Sequence, residues 1–75
     1  MRVFTYDNHL QPGTWYLWKT GKRRILLACP TCGTITMIDE DEVSVSASGM
    51  VAEAIRCTNI RCYFGDKILL EGWKV

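Results

Sequence analysis

The sequence has 75 residues, which fits one domain over residues 1–75, and its nine Lys and Arg stand against eight Asp and Glu for a net charge of +1. This balance argues against a protein that relies on non-specific attraction to nucleic acid, although a local basic patch can still bind it. The hydrophobic fraction of 48% excludes a disordered chain, but a core of this size is marginal without a metal, disulfides or a partner.

The N-terminal part of the chain predicts a strand followed by a β-hairpin. Residues 2–6 alternate loosely and predict a short strand, and the aromatic-rich residues 15–19 predict a second one. Residues 22–28 predict a third strand, and the intervening Thr20-Gly21 suits the turn of a hairpin.

The sequence shows no targeting signal. Its N-terminus lacks the apolar stretch of a signal peptide, and no run approaches the ~20 apolar residues of a membrane span. We therefore expect the chain in the cytoplasm, where thiols stay reduced and paired cysteines indicate metal more often than disulfides.

The four cysteines of the chain form two close pairs, which we interpret as the ligands of one structural zinc ion. The pairs are Cys29 with Cys32 and Cys57 with Cys62. Zinc prefers four tetrahedral ligands, and an all-cysteine set is a common structural choice. Pro30 pre-sets a tight turn in the first pair, and Gly33 can take the positive φ that lets the chain reverse. The second pair is separated by four residues rather than two, so its turn must be wider.

Other uses of four cysteines stay open from the sequence. Two disulfides require an oxidising compartment, and iron or iron–sulfur centres also use four thiolates. A Cys-x-x-Cys redox centre normally begins a helix, whereas Cys32 is followed by glycine and an alternating pattern. A four-cysteine zinc site has a formal charge of −2, and nearby basic residues can offset it. These residues are Arg24, Arg56, Arg61 and Lys67.

The chain around the cysteine pairs predicts mostly strand. Further strands are predicted at residues 34–38, 43–47 and 67–73, with Trp73 as a core anchor. Four adjacent acidic residues, 39–42, separate the strand predicted at 34–38 from the one predicted at 43–47. Residues 48–56 suit either a short helix capped by Ser48 or a strand, and we favour a strand that pairs with the one leaving the first cysteine pair. The predicted fold is mostly β: an N-terminal strand and hairpin (1–28), then a small antiparallel sheet with both cysteine pairs around one metal (29–73).

The cysteine pattern resembles that of zinc ribbons, and more closely that of short phage and prophage zinc-ribbon proteins. The matching segments are 29–33, 48–51, Cys57 and Cys62 with Phe64, and 69–73. The resemblance implies an antiparallel sheet around zinc, the four cysteines as its ligands, and a phage source. It implies no activity, because zinc ribbons serve as nucleic-acid contacts, protein-docking modules or structural staples.

An enzymatic role is not expected. The four cysteines would occupy every position of a tetrahedral zinc ion, which leaves none open for a substrate. His9 is the only histidine of the chain, and no nucleophile candidate lies beside it in sequence. We therefore expect no small-molecule substrate.

Two charged segments are candidates for contact with a partner. The basic hairpin offers Trp18, Lys19, Lys22, Arg23 and Arg24, which suit phosphates and bases. The acidic segment offers Asp39, Glu40, Asp41 and Glu42, which suit a basic protein surface. We favour docking on a host protein, such as transcription machinery, over nucleic acid, because a small domain needs its aromatic residues for packing. No membrane partner is expected.

Overall fold

The computed structural model describes residues 1–73, which form seven strands. The strands are β1 (Arg2–Tyr6), β2 (Thr14–Trp18), β3 (Arg24–Ala28), β4 (Ile35–Asp39), β5 (Ile55–Arg56), β6 (Gly65–Asp66) and β7 (Ile68–Leu70). A single turn of 3₁₀ helix, Glu40–Glu42, follows β4 at the predicted acidic interruption. The prediction of a mostly β fold is confirmed, and the described part of the chain has no helix with the length and apolar character to cross a membrane.

Five of the strands form one mixed sheet in the order β4-β3-β2-β1-β7. Strands β2, β3 and β4 form an antiparallel meander, as the predicted hairpin requires. Strand β1 instead runs parallel to both β2 and β7, a pairing that no local sequence pattern predicts. Strands β5 and β6 form a separate antiparallel pair, which carries the second cysteine pair between them.

The core lies on one face of the five-stranded sheet. Residues directly opposite each other in the register point to the same face, and the buried side chains follow this rule. The core consists of Phe4, Trp15, Leu17, Ile25, Leu27, Val51, Ile68, Leu70 and Trp73. The predicted role of Trp73 is confirmed, because its ring packs 5.5 Å from that of Trp15. The indole N–H of Trp15 donates to the carbonyl of Glu71 at 2.9 Å, which fixes the chain leaving β7.

Residues 43–56 depart from the predicted strands. Isolated antiparallel bridges join Val45 to Val51 and Met50 to Leu69, and only Ile55–Arg56 forms a strand. The segment contains no helix, but the expected pairing with β4 is wrong, because β5 pairs with β6. The reason is that the chain around Met50 lies along the edge of β7, at the opposite side of the sheet from β4.

Candidate metal centre

The fold brings the four cysteines together at one point. Their Sγ atoms all lie within 4.8 Å of one another. The shortest separations cross between the pairs: 3.6 Å from Cys29 to Cys62 and 3.5 Å from Cys32 to Cys57. Zn–S bonds of about 2.3 Å in a tetrahedron place the sulfurs roughly 3.8 Å apart, so the four free thiols fit one tetrahedral metal ion. The predicted grouping of these cysteines for one metal site is confirmed.

The first cysteine pair lies in the tight turn between β3 and β4. The amide of Cys29 donates to the carbonyl of Thr34 at 3.0 Å, and the amide of Gly33 donates back to the carbonyl of Cys29 at 2.9 Å. Gly33 has a φ of +77°, as the predicted chain reversal requires. Cys29 directly follows β3 and is buried, while Cys32 is exposed, so the metal position lies at the margin of the core.

The second cysteine pair lies in a wider loop between β5 and β6, and Asn59 organises it. The side-chain oxygen of Asn59 accepts from the amide of Arg61 at 3.0 Å, and its carbonyl accepts from the amide of Cys62 at 2.9 Å. The amide of Cys57 donates to the carbonyl of Phe64 at 3.1 Å and closes the loop. Sequence reasoning missed Asn59, although an Asn inside a cysteine pair is the residue type that forms such a turn.

Backbone amides stabilise three of the four thiolates. In each case the donor is the amide two residues further along the chain, a spacing that a tight turn produces. The donors are Thr34 to Cys32, Asn59 to Cys57, and Phe64 to Cys62. Such N–H donors favour the charged form of sulfur and so prepare these positions for a cation.

The thiols nevertheless differ in how readily they ionise. Hydrogen bonds from Thr34, the side-chain hydroxyl first and the amide second, lower the pKa of Cys32 to about 6. The Thr34 hydroxyl lies 3.2 Å from the Cys32 sulfur. For Cys57, the Asn59 amide lowers the pKa, but burial and the neighbouring thiols outweigh it and raise the pKa to about 12. Cys32 thus ionises more readily than Cys57, and a bound cation would favour the thiolate form of its ligands.

Substitution of Thr34 by Val is expected to weaken metal binding by roughly 10–100-fold, the range typical of lost outer-shell hydrogen bonds. Without the hydroxyl the pKa of Cys32 rises, so protons compete better with the metal and release should occur at higher pH than in the wild type. Metal release can be followed with a chromogenic chelator during an acid titration. Thr31→Val, in the same turn, is the matched control, and equal release midpoints for the two variants would contradict the role of Thr34.

The two predicted charged surfaces lie side by side and form ion pairs with each other. Lys22 lies 3.2 Å from Asp39 and 3.6 Å from Asp41. Arg24 also binds Asp39, at 3.1 Å. The same pattern joins Arg23 to Glu40 at 3.0 Å. The hydrogen bond from Lys22, supported by Arg24, lowers the pKa of Asp39, so this carboxylate stays charged well into the acid range.

Neither charged segment reaches the metal centre. Arg24, expected as an offset for the charge of the metal site, is engaged by Asp39 instead. Trp18 and Lys19 are exposed at the end of β2, and Glu42 is exposed at the end of the 3₁₀ turn. The predicted contact residues therefore lie on the meander, and other side chains form the surface around the metal position.

The loop that holds the second cysteine pair exposes a surface that sequence reasoning missed. We call residues 56–64 the second knuckle. Ile60 is 94% exposed and Tyr63 is 97% exposed. Arg56 and Arg61 are exposed beside them and form no ion pair with another residue in 1–73. An open cavity of about 520 Å³ lies against this loop, with Arg56, Asn59 and Tyr63 in its wall.

No protein-family model, no curated protein and no solved structure matches this chain. The cysteine cluster is therefore supported by its geometry alone, and the resemblance to phage zinc ribbons stays a prediction from the sequence.

Proposed function

We propose that this protein is a non-enzymatic module in which one structural zinc ion holds a docking surface for another protein in the cytoplasm. The observation that carries the proposal is the cluster of four Sγ atoms that all lie within 4.8 Å of one another. A set of four thiolates is typical of structural zinc and leaves no open coordination position for a substrate. A phage source and a target in host transcription machinery rest on the sequence resemblance.

The metal would tether the second knuckle to the main sheet. Strands β5 and β6 are two residues long each and pair only with each other, which is marginal for an isolated hairpin. Besides the cysteines, three contacts join the knuckle to the rest of the fold. The Thr58 hydroxyl lies 3.3 Å from that of Thr36, the Asn59 side-chain amide donates to Thr34 at 3.5 Å, and the Phe64 ring packs on Phe4. One ion bound by all four cysteines would add to these contacts and fix the position of the knuckle.

The second knuckle has the composition of an interaction hot spot. Tyr and Arg are enriched at the energetic centres of protein interfaces, and Tyr63 and Arg61 are both exposed here. Ile60 is almost fully exposed, and an apolar pocket on a partner would gain free energy by removing its side chain from water. Arg56 and Arg61 favour a partner whose pocket has an acidic rim.

Nucleic acid is the second candidate, because Tyr63 can stack on a base while Arg56 and Arg61 contact phosphates. The basic hairpin predicted from the sequence is a weaker candidate for nucleic-acid binding than the second knuckle, since Lys22, Arg23 and Arg24 are already paired with acidic side chains. A gel-shift series with single-stranded oligonucleotides tests this candidate, and absence of retardation at low salt would eliminate it.

Elemental analysis of the purified protein tests the metal. We expect about one zinc per chain, as a single structural site requires, and no visible absorption of the kind that iron thiolate centres give. Less than about half an equivalent of zinc, or stoichiometric iron, would overturn the assignment of the centre.

Replacing both Ile60 and Tyr63 by Ser is expected to abolish partner binding without loss of stability, because exposed positions change stability by about 0.5 kcal/mol or less. Tagged wild-type protein and the double variant would be compared in captures from nuclease-treated lysate. Val3→Ser, at an exposed apolar position on β1, is the matched control and should capture as the wild type does. If both variants still capture the partner, its docking surface lies outside Ile60 and Tyr63. If the wild type captures no specific partner, the result counts against protein docking.

A further inference from the structure

The fold covers one edge of the five-stranded sheet and leaves the other open. At β7, the amide of Leu70 donates to the carbonyl of Gly49 at 2.8 Å, and the amide of Val51 donates to the carbonyl of Ile68 at 3.1 Å. At the opposite edge, no strand of residues 1–73 lies beyond β4. A strand with unpaired backbone groups readily pairs with another chain.

The register between β3 and β4 determines which backbone groups face outward. Hydrogen-bonded and non-hydrogen-bonded pairs alternate along an antiparallel ladder. The ladder is hydrogen-bonded at one end through the carbonyl of Thr34, which accepts from Cys29, and at the other through the amide of Glu40, which donates to Arg23. The backbone N–H and C=O groups of the even-numbered residues of β4 therefore form hydrogen bonds with β3. The outward N–H and C=O groups belong to Ile35, Met37 and Asp39, and they have no hydrogen-bond partner within residues 1–73.

The side chains along this edge suit contact with a similar strand. Met37 is 58% exposed and Ile35 is 44% exposed, and both lie on the sheet face opposite the core. No charged residue occurs between Gly33 and Asp39. Sheets commonly protect an open edge with Lys, Pro or a bulge, and β4 has neither a Lys nor a Pro.

We propose that β4 is a dimer interface at which two copies of this chain pair antiparallel about a two-fold axis through Thr36. This register places Ile35 opposite Met37 of the second copy, and the symmetry repeats the pair. Both positions direct their backbone groups outward, so each pair exchanges two hydrogen bonds, and the two exposed apolar side chains pack across the strands. A register centred on Met37 is disfavoured, because it would place Ile35 opposite Asp39, whose carboxylate is bound by basic side chains.

We assign a second copy of this chain as the partner at β4, because the edge of this strand is complementary to itself. No charged residue lies between Gly33 and Asp39, so no like charges face each other across the central pairs, and the isologous contact closes after two chains without leaving an open edge at β4. The pairing continues the sheet across both copies. It uses the backbone of β4 and neither Ile60 nor Tyr63, so this proposal and the proposed docking of a partner on the second knuckle can each fail without the other.

Sedimentation velocity of the metal-loaded protein tests the dimer. The apparent mass is expected to rise from 8.6 kDa towards twice that value with increasing concentration. Met37→Lys should abolish the rise, because symmetry brings a lysine ammonium from each copy to the same interface. Val3→Lys, at an exposed apolar position on β1, is the control and should associate as the wild type does. A wild-type protein that stays monomeric at every concentration, or equal loss in both variants, would overturn the proposal.

Amide hydrogen exchange provides a second measurement that needs no variant. In the dimer the amides of Ile35 and Met37 are hydrogen-bonded, so their exchange should slow as the wild-type concentration rises. The amide of Thr36 bonds β3 in every state and is the internal reference. Exchange of Ile35 and Met37 that is independent of concentration would overturn the proposal even if Met37→Lys does not fold.

Discussion

Removal of the metal with a strong chelator is expected to unfold most of this protein in one cooperative step. Structural zinc contributes about 10–16 kcal/mol of apparent binding free energy in small zinc-dependent folds. The hydrophobic core of a chain this short supplies only about 3–5 kcal/mol. Cys29 directly follows β3 at the margin of the core, so loss of the cluster frees the second knuckle and also loosens the β3–β4 turn.

Circular dichroism and tryptophan fluorescence during a chelator titration measure this loss, and added zinc should restore the fold. Two substitutions of Cys62 distinguish the effect of losing a metal ligand from the effect of changing the side chain. Cys62→Ser removes a thiolate and should lower the unfolding midpoint strongly, whereas Cys62→His keeps a zinc donor and should retain most of the stability. A fold that is indifferent to the chelator, or equal losses in the two variants, would contradict a structural metal.

The local features of the fold could be predicted because short sequence signals encode them. The aromatic-rich run of β2, the apolar run of β3 and the turn between them define the hairpin, and the close spacing of Cys29 and Cys32 defines the first metal turn. The hairpin and the first metal turn each depend on neighbours within a few positions of the chain. Trp73 lies in the core as predicted, whereas Trp18, a residue of the same size, is 44% exposed, so size alone does not decide burial.

The remaining features depend on contacts between distant parts of the chain. The parallel pairing of β1 with β7 joins the two ends of the described chain, and no local pattern specifies it. Hydrogen bonds to the backbone of β7 fix the chain at Gly49 and Val51, so neither helix nor strand propensity could predict the course of this segment. The charged segments were predicted as separate surfaces because their ion pairs exist only once β3 and β4 are in register.

Gly49 shows how such a distant contact can depend on one residue. It has a φ of +95°, a conformation that costs other residues about 1–2 kcal/mol. A Cβ here would collide with the carbonyl oxygen of Leu70 and lie 3.0 Å from the Cβ of Trp73. Overpacking in a filled core costs about 1–3 kcal/mol more. Gly49→Ala is therefore expected to destabilise the protein by about 2–5 kcal/mol, and the upper end of this range equals the whole contribution of the core.

Gly21→Ala is the control that separates the cost of the steric collision from the cost of the positive-φ backbone conformation. Gly21 has a similar φ of +73°, but a Cβ there would meet nothing within 4 Å. Its loss should be limited to the conformational cost of about 1–2 kcal/mol. Urea unfolding of both variants at a fixed free zinc concentration gives the comparison, because bound metal adds to the stability of each. Since the Gly49 carbonyl accepts from the amide of Leu70, the larger loss in Gly49→Ala would show that the edge of β7 is stabilised by close backbone contact, and equal losses would refute that explanation.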